Sequence, residues 1–260
     1  MEWLYGLEWQ HVALLLLVAA AAGWVDAVVG GGGLVLVPAL MLGLPGMSPV
    51  TALGTNKVAS ICGTTSAAIT YARRTTIDWR LALPAALLAV LFSGTGALAA
   101  SHIPAEYFRP IIMVLLLLVL AFVVARPSFG VVVTEPNRTW RRRLAAVLLA
   151  GTAIAFYDGI LGPGTGTFLI IAFTALLGLD FVSSSATAKI LNAGTNLGAL
   201  LVFASGGHVL WKLGLAMAVC NIVGARFGAH TALKRGAGFV RVVLVVVVVA
   251  MVARLGSLYL

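Results

Sequence analysis

Charge is what this sequence has least of. Only 10% of its 260 residues are charged, 17 Lys or Arg against 8 Asp or Glu, whereas an ordinary soluble domain carries roughly 25%. With 61% hydrophobic residues and a mean hydropathy of +1.08, that shortage excludes a soluble globular fold. Cysteine is almost absent. Cys62 and Cys220 each lie within an apolar run, so they read as small buried residues rather than a disulfide or a metal pair. The few histidines and carboxylates form no catalytic or metal-ligating constellation, and no nucleophile stands beside a base. The expectation is therefore a protein that is no enzyme and needs neither cofactor nor metal.

What remains is apolar and long. Runs of about 18 to 22 residues match the roughly 20 that cross a bilayer as helix, and the weak alternating segments of about 10 expected of a membrane barrel are missing. The fold class is an all-α polytopic membrane protein, with the lipid bilayer as its first partner. The net charge of +9 does not indicate nucleic acid. The basic residues stand in short clusters between apolar runs, such as Arg73-Arg74 and Arg141-Arg142-Arg143, as the positive-inside rule requires of cytoplasmic loops. The first apolar run follows Glu2 and Glu8 with no Lys or Arg, the wrong charge for a signal peptide, so it reads as retained.

Shifted by 132 residues, the sequence lies on itself without a gap. Asp26 meets Asp158, Gly30 meets Gly162, Thr55 meets Thr187, Lys57 meets Lys189, Trp79 meets Trp211 and Arg109 meets Arg241. This is an internal duplication. Each copy reads as five apolar segments, at about 11–29, 33–45, 49–71, 80–101 and 107–125, then about 142–161, 165–179, 182–204, 212–233 and 239–258. The second of each set is short for a span.

Equivalent loops differ in charge. After the third segment stand Arg73, Arg74 and Arg80 in the first copy but only His208 and Lys212 in the second; after the fourth, Arg109 alone faces Lys234, Arg235 and Arg241. The arginine-rich stretch from Arg126 to Arg143 should be cytoplasmic, which places both termini outside with an odd number of crossings per copy. The expected architecture is an inverted-topology repeat: a first membrane repeat at 1–126, a cytoplasmic linker at 127–140 and a second repeat at 141–260. The helices should be broken at the glycine-rich motifs.

Two motifs carry the chemistry. Gly30 to Gly33 follows Asp26, and Gly162-Pro163-Gly164-Thr165-Gly166 follows Asp158. Broken helices of inverted-repeat transporters offer free N–H groups and positive dipole ends to anions near the midplane, and glycine lets a ligand approach. The competing reading is close helix packing, which small residues also mark.

The second motif is TALGTNKVAS, with Thr55, Asn56, Lys57 and Ser60, answered by SSATAKILNAGTN, with Thr187, Lys189, Asn192 and Asn196. A lysine near mid-membrane costs roughly 2.5–3.5 kcal/mol, so it faces a cavity or a partner. Two cations, hydroxyls, amides and helix N-termini suit a small, strongly hydrated anion. The candidate substrate-binding set is Gly31, Gly32, Gly33, Thr55, Asn56, Lys57, Ser60, Gly164, Thr165, Gly166, Thr187, Lys189, Asn192 and Asn196. The alternative pairs Lys57 and Lys189 with Asp26 and Asp158 as buried ion pairs. The carboxylates could also carry a coupling proton if burial raises their pKa. Arg226, His102, His208 and His230 read as structural or interfacial, and Trp79 and Trp211 as interface anchors.

At GGGGLVLVPAL, TALGTNKVAS, DGILGPGTGTFL and ATAKILN, and through nearly the whole chain, the sequence resembles the sulfite exporter TauE/SafE family, also called TSUP. The resemblance implies a transporter of the bacterial cytoplasmic membrane that exports a small sulfur-containing anion, sulfite or an organosulfonate such as sulfoacetate. It carries the motif roles onto Gly30 to Gly33, Thr55-Asn56-Lys57, Gly162 to Gly166 and Thr187-Ala188-Lys189. Ala188 stands where the first copy has Asn56, so the two halves of the site are unequal. Alternating access would follow from rocking one copy against the other. A negative interior drives a monovalent anion outward by about 2.3 kcal/mol per 100 mV. The rivals are a passive small-anion channel and proton-coupled uptake of a small carboxylate or sulfonate. No oligomeric state follows from the sequence.

Overall fold

In hydrocarbon every backbone N–H and C=O needs a partner within the protein, and helices supply it segment by segment. All regular structure among the described residues is helical. The computed structural model describes residues 9–44, 46–100, 139–162 and 164–256, together with His102, Val114, Leu117 and Ala125. Apart from the last three of these, the expected span at about 107–125 lies outside the described residues, as does the linker up to residue 138.

The first copy contributes α1 (Trp9–Val29), α2 (Gly32–Gly43), α3 (Pro49–Ala72) and α4 (Trp79–Ala100). In the second copy α5 (Trp140–Leu148) runs through a π-helical turn (Leu149–Ile154) into α6 (Ala155–Ile160). Then follow α7 (Thr165–Leu177), α8 (Phe181–Ser205) and α9 (Trp211–Gly256), the last broken at Gly236 with φ 76°. Ser48 caps α3, accepting from Thr51 N at 3.2 Å with Pro49 opening the helix. Asp180 caps α8, accepting from Val182 N at 2.8 Å and Ser183 N at 3.0 Å. Among the described residues four helical stretches are long and apolar enough to cross a membrane: Trp9–Val29, Trp79–Ala100, Trp140–Ile160 and Trp211–Val247. By contrast α2 and α7, with 12 and 13 residues, fall well short of the roughly 20 that a span needs.

The copies interlock rather than stand side by side. α1 lies along α9, where Gly23 meets the Asn221 carbonyl, Gly224 that of Ala20 and Gly228 that of Trp24. The same contact recurs between α4 and α5–α6, where Gly96 meets the Phe156 carbonyl and Gly159 that of Ser93. The first helix of each copy is thus packed on the fourth helix of the other, through small residues that let backbones touch. On the outer face Leu83, Leu87 and Leu91 of α4 form an exposed stripe. Leu215, Val219 and Val223 of α9 repeat it at the same positions, a surface suited to lipid.

Two apolar clusters flank a polar middle layer. One gathers Ala27 to Val29 of α1, Tyr71 of α3, Leu81 of α4, Ala146 of α5 and Phe181 of α8. The other gathers Leu15 of α1, Ala52 of α3, Ala97 of α4, Leu161 after α6 and Phe203 of α8. α3 therefore begins in the second cluster and ends in the first, whereas α8, its repeat, begins in the first and ends in the second. The same reversal holds for α1 against α5–α6 and for α4 against α9, whose Leu213 is in the second cluster and Ala229 in the first. Equivalent helices run in opposite directions. Arg73, Arg74, Arg80, Arg141, Arg142, Arg143, Lys234 and Arg235 all border elements of the first cluster, and Lys212 borders the second.

Candidate functional site

Between the clusters the breaks and the lysines meet. α1 ends at Val29, and Gly30 adopts φ 80°; its repeat Gly162 adopts φ 78°, a backbone that L side chains rarely reach. The last carbonyls of α1 lose their helical partners there, and hydroxyls from three other helices replace them. Tyr71 Oη donates to Ala27 O at 2.9 Å, Ser185 Oγ to Val28 O at 3.4 Å and Thr167 Oγ to Val29 O at 2.8 Å. Thr165 Oγ does the same for Gly162 O at 2.8 Å.

The glycines at the break serve two ends. A Cβ on Gly30 would land on the backbone of Gly166, and one on Gly166 would land on Gly30. At that crossing the packing reading holds: glycine is needed because one broken helix touches the other. Gly33 lines the polar cleft, while Gly31 faces Val247 and Val25, and Gly32 packs against the Asp26 side chain.

Both lysines are buried and both are paired across the duplication. Lys57 of α3 donates to the Asp158 carboxylate of α6, and Lys189 Nζ of α8 donates to Asp26 Oδ2 of α1 at 3.0 Å. The surroundings are unequal. Lys57 lines the cleft, beside Gly162; Lys189 is sealed beneath Asp26, and it is Asp26 that reaches the cleft wall. Ser93 of α4 lies with its Oγ 3.4 Å from Asp158 Oδ2 and donates to Thr195 O at 2.8 Å, whereas the repeat position is Ala225.

The cleft brings together Asp26, Gly33, Asn56, Lys57, Ser60, Asp158, Thr165, Gly166, Asn192 and Asn196 of the expected set, and adds Gly30 and Gly162. Ser60 Oγ donates to Asn56 Oδ1 at 3.3 Å, and Asn196 Nδ2 to Thr64 Oγ1 at 3.2 Å, which ties the two copies' polar faces together. Free space inside is about 10 Å³, about the minimum that holds one water. Thr55, Thr187 and Gly164 lie elsewhere. Thr55 accepts from Leu210 N at 3.0 Å, Thr187 lines a second cavity beside Asp78, and Gly164 faces Leu34 and Phe168. Thr64, Ser93 and Tyr71 lie outside the motifs, and Thr167 and Thr195 lie within them but outside the candidate set; their roles come from contacts across the duplication.

Half-length helices meeting at glycine breaks, beside buried cations on a polar cleft in a helical bundle of membrane-spanning length, define a multi-pass membrane transporter. The chain belongs to the sulfite exporter TauE/SafE family, whose family model matches residues 15–255. It is 35% identical over 249 residues to the probable membrane transporter protein ORF9 of Sinorhizobium sp, covering 96% of this chain and 94% of that one. It is 37% identical over 247 residues to the probable membrane transporter protein YfcA of Escherichia coli K12, covering 94% and 89%. A probable membrane transporter protein of Haemophilus influenzae is 32% identical over 244 residues, with 94% of each chain covered. No solved structure matches the chain.

Proposed function

We propose that this protein is a secondary transporter that exports a small sulfur-containing anion, sulfite or an organosulfonate such as sulfoacetate, across the bacterial inner membrane by alternating access. The observation that carries this reading is Lys57, a buried cation on the wall of a cleft that it shares with its partner Asp158, with Asp26, and with the uncharged Asn56, Ser60, Thr165, Asn192 and Asn196. The family description of a sulfite exporter supports the substrate class. The cleft has room for about one water, so an anion reaches Lys57 only when these side chains part, which fits a carrier that rearranges as it works. The anion enters by parting these side chains and takes Lys57 from Asp158.

Each copy's first helix is packed on the other's fourth, so the bodies that rock contain helices of both copies. One bundle joins α1 to α3 with the first half of α9; the other joins α4 with α5 to α8. The arginine-bearing end faces the cytoplasm, the linker 127–140 lies there between repeats 1–126 and 141–260, and both termini are periplasmic. Asp26 on the cleft wall favours proton-coupled uptake of a small carboxylate or sulfonate as the second reading.

Counterflow in proteoliposomes tests the proposal. Vesicles are loaded with unlabelled sulfite or sulfoacetate, and uptake of the labelled anion is followed for wild type, Lys57→Ala and Lys189→Ala. A transient overshoot in wild type that disappears with Lys57→Ala is the expected result. Leak without overshoot would make the protein a channel, and no flux of either anion would overturn the substrate class.

A further inference from the structure

We propose that the cavity between the α3–α4 loop and the α8 N-terminus is a binding site for the phosphate of an anionic phospholipid, separate from the transport cleft. The cavity measures about 130 Å³ and is lined by Thr76, Asp78, Leu81, Arg143, Leu179 and Thr187 among others. It has the room of a phosphate group, and its lining mixes hydroxyls, the Arg143 guanidinium, the Asp78 carboxylate and leucines.

Three observations point to that ligand. Arg143, itself half-buried, is held at the cavity by Asp78, with Nη2 to Oδ2 at 2.9 Å, yet its Nε–H is buried and has no acceptor among the described residues. A buried donor without a partner is costly, and an oxyanion oxygen would satisfy it. Close in sequence to the lining residues stand Arg73, Arg74, Arg80, Arg141 and Arg142, all exposed, and the exposed Trp79 and Trp140, the residue types that mark a membrane interface facing anionic headgroups.

The repeat-related end of the molecule is built differently. At the repeat-related place the loop at 208–210 closes directly on α3: Gly54 admits the His208 carbonyl and Leu210 N donates to Thr55 Oγ1 at 3.0 Å. Here Ala186 stands in place of Gly54, Asp78 in place of Leu210 and Arg143 in place of His11, and the cavity lies at this place. The exposed Trp79 and Trp140, close in sequence to the lining residues, favour a lipid over free phosphate.

Purified, delipidated protein in a neutral detergent is titrated with short-chain phosphatidylglycerol, short-chain phosphatidylcholine and inorganic phosphate, reading melting temperature and bound lipid by native mass spectrometry. Phosphatidylglycerol should bind and raise the melting temperature of wild type, while the other two leave it unchanged. Arg143→Lys keeps the ion pair and the net charge but loses the Nε–H, and should bind about tenfold more weakly, as expected for one charge-assisted hydrogen bond. Leu179→Trp fills the cavity without touching a charge and should abolish the effect. An equal response to inorganic phosphate would make this a free-anion site. No response of wild type to phosphatidylglycerol, or an undiminished response in both folded variants, would overturn the proposal.

Discussion

The α-carbons of Gly30 and Gly166 face each other where the break of one copy crosses the half-helix of the other, with no space for a methyl group on either side. Substituting Gly166→Ala should therefore cost about 1–3 kcal/mol by overpacking. Gly30→Ala should cost more, since the left-handed backbone adds about 1–2 kcal/mol of strain. Gly46 is the control: it has φ 89° but open space around it, so Gly46→Ala carries only the strain. Thermal unfolding in detergent separates the three.

Removing one lysine strands a carboxylate in the interior. Lys57→Ala and Lys189→Ala should each destabilise by about 3–5 kcal/mol, and the paired variants Lys57→Ala with Asp158→Ala, and Lys189→Ala with Asp26→Ala, should recover most of that. Transport should part the two pairs. The Lys189 and Asp26 double variant is expected to keep measurable counterflow, and the Lys57 and Asp158 double variant to lose it, because only the Lys57 ammonium lines the cleft. Equal loss in both would mean that the pairs act alike.

Ser93 is the donor nearest to Asp158 once Lys57 turns to an anion. Ser93→Ala leaves the buried Thr195 carbonyl without its hydroxyl and should cost about 1–3 kcal/mol. It should also slow counterflow, while Ala225→Ser at the repeat position should not. A rate unchanged by Ser93→Ala would remove the serine from the cycle.

Gly54 lets the loop at 208–210 seal one end of the bundle. Gly54→Ala drives a methyl group into the His208 carbonyl and displaces Leu210 from Thr55, at an expected cost of about 1–3 kcal/mol. Ala186→Gly opens no such clash and should cost only about 1 kcal/mol of helix propensity. Melting temperatures of the two variants check the contrast.

The sequence made the repeat legible because rare residue types recur at one offset: Asp26 with Asp158, Lys57 with Lys189, Trp79 with Trp211. Loop charges carried the expectation that equivalent helices run oppositely, and the two glycine motifs coincide with the breaks at Gly30 and Gly162. The partners were not legible. Which lysine takes which carboxylate depends on how the copies interlock, and that is set by small-residue contacts such as Gly228 on Trp24, which leave no periodic signal. For the same reason the hydroxyls of Tyr71, Ser185 and Thr167 could not be assigned to the end of α1. Cys62 and Cys220, expected to be buried, are only half so, because one side of each helix meets the outer surface. The π-helical turn at Leu149–Ile154 has no counterpart in α1, and no residue of the segment announces it.

The cross-copy ion pairs also bear on biosynthesis. While the ribosome is still making the second half, the first is already in the membrane with Lys57 and Asp26 lacking their final partners, and α1 and α4 lacking the helices they pack against. Neither half holds within itself the partners of its own buried lysine. The chain must hold its early helices loosely, near the insertion machinery or in a transient pairing of Lys57 with Asp26, until α5 to α9 arrive to exchange partners. Newly inserted molecules stalled before Asp158 should be the form most exposed to membrane quality control.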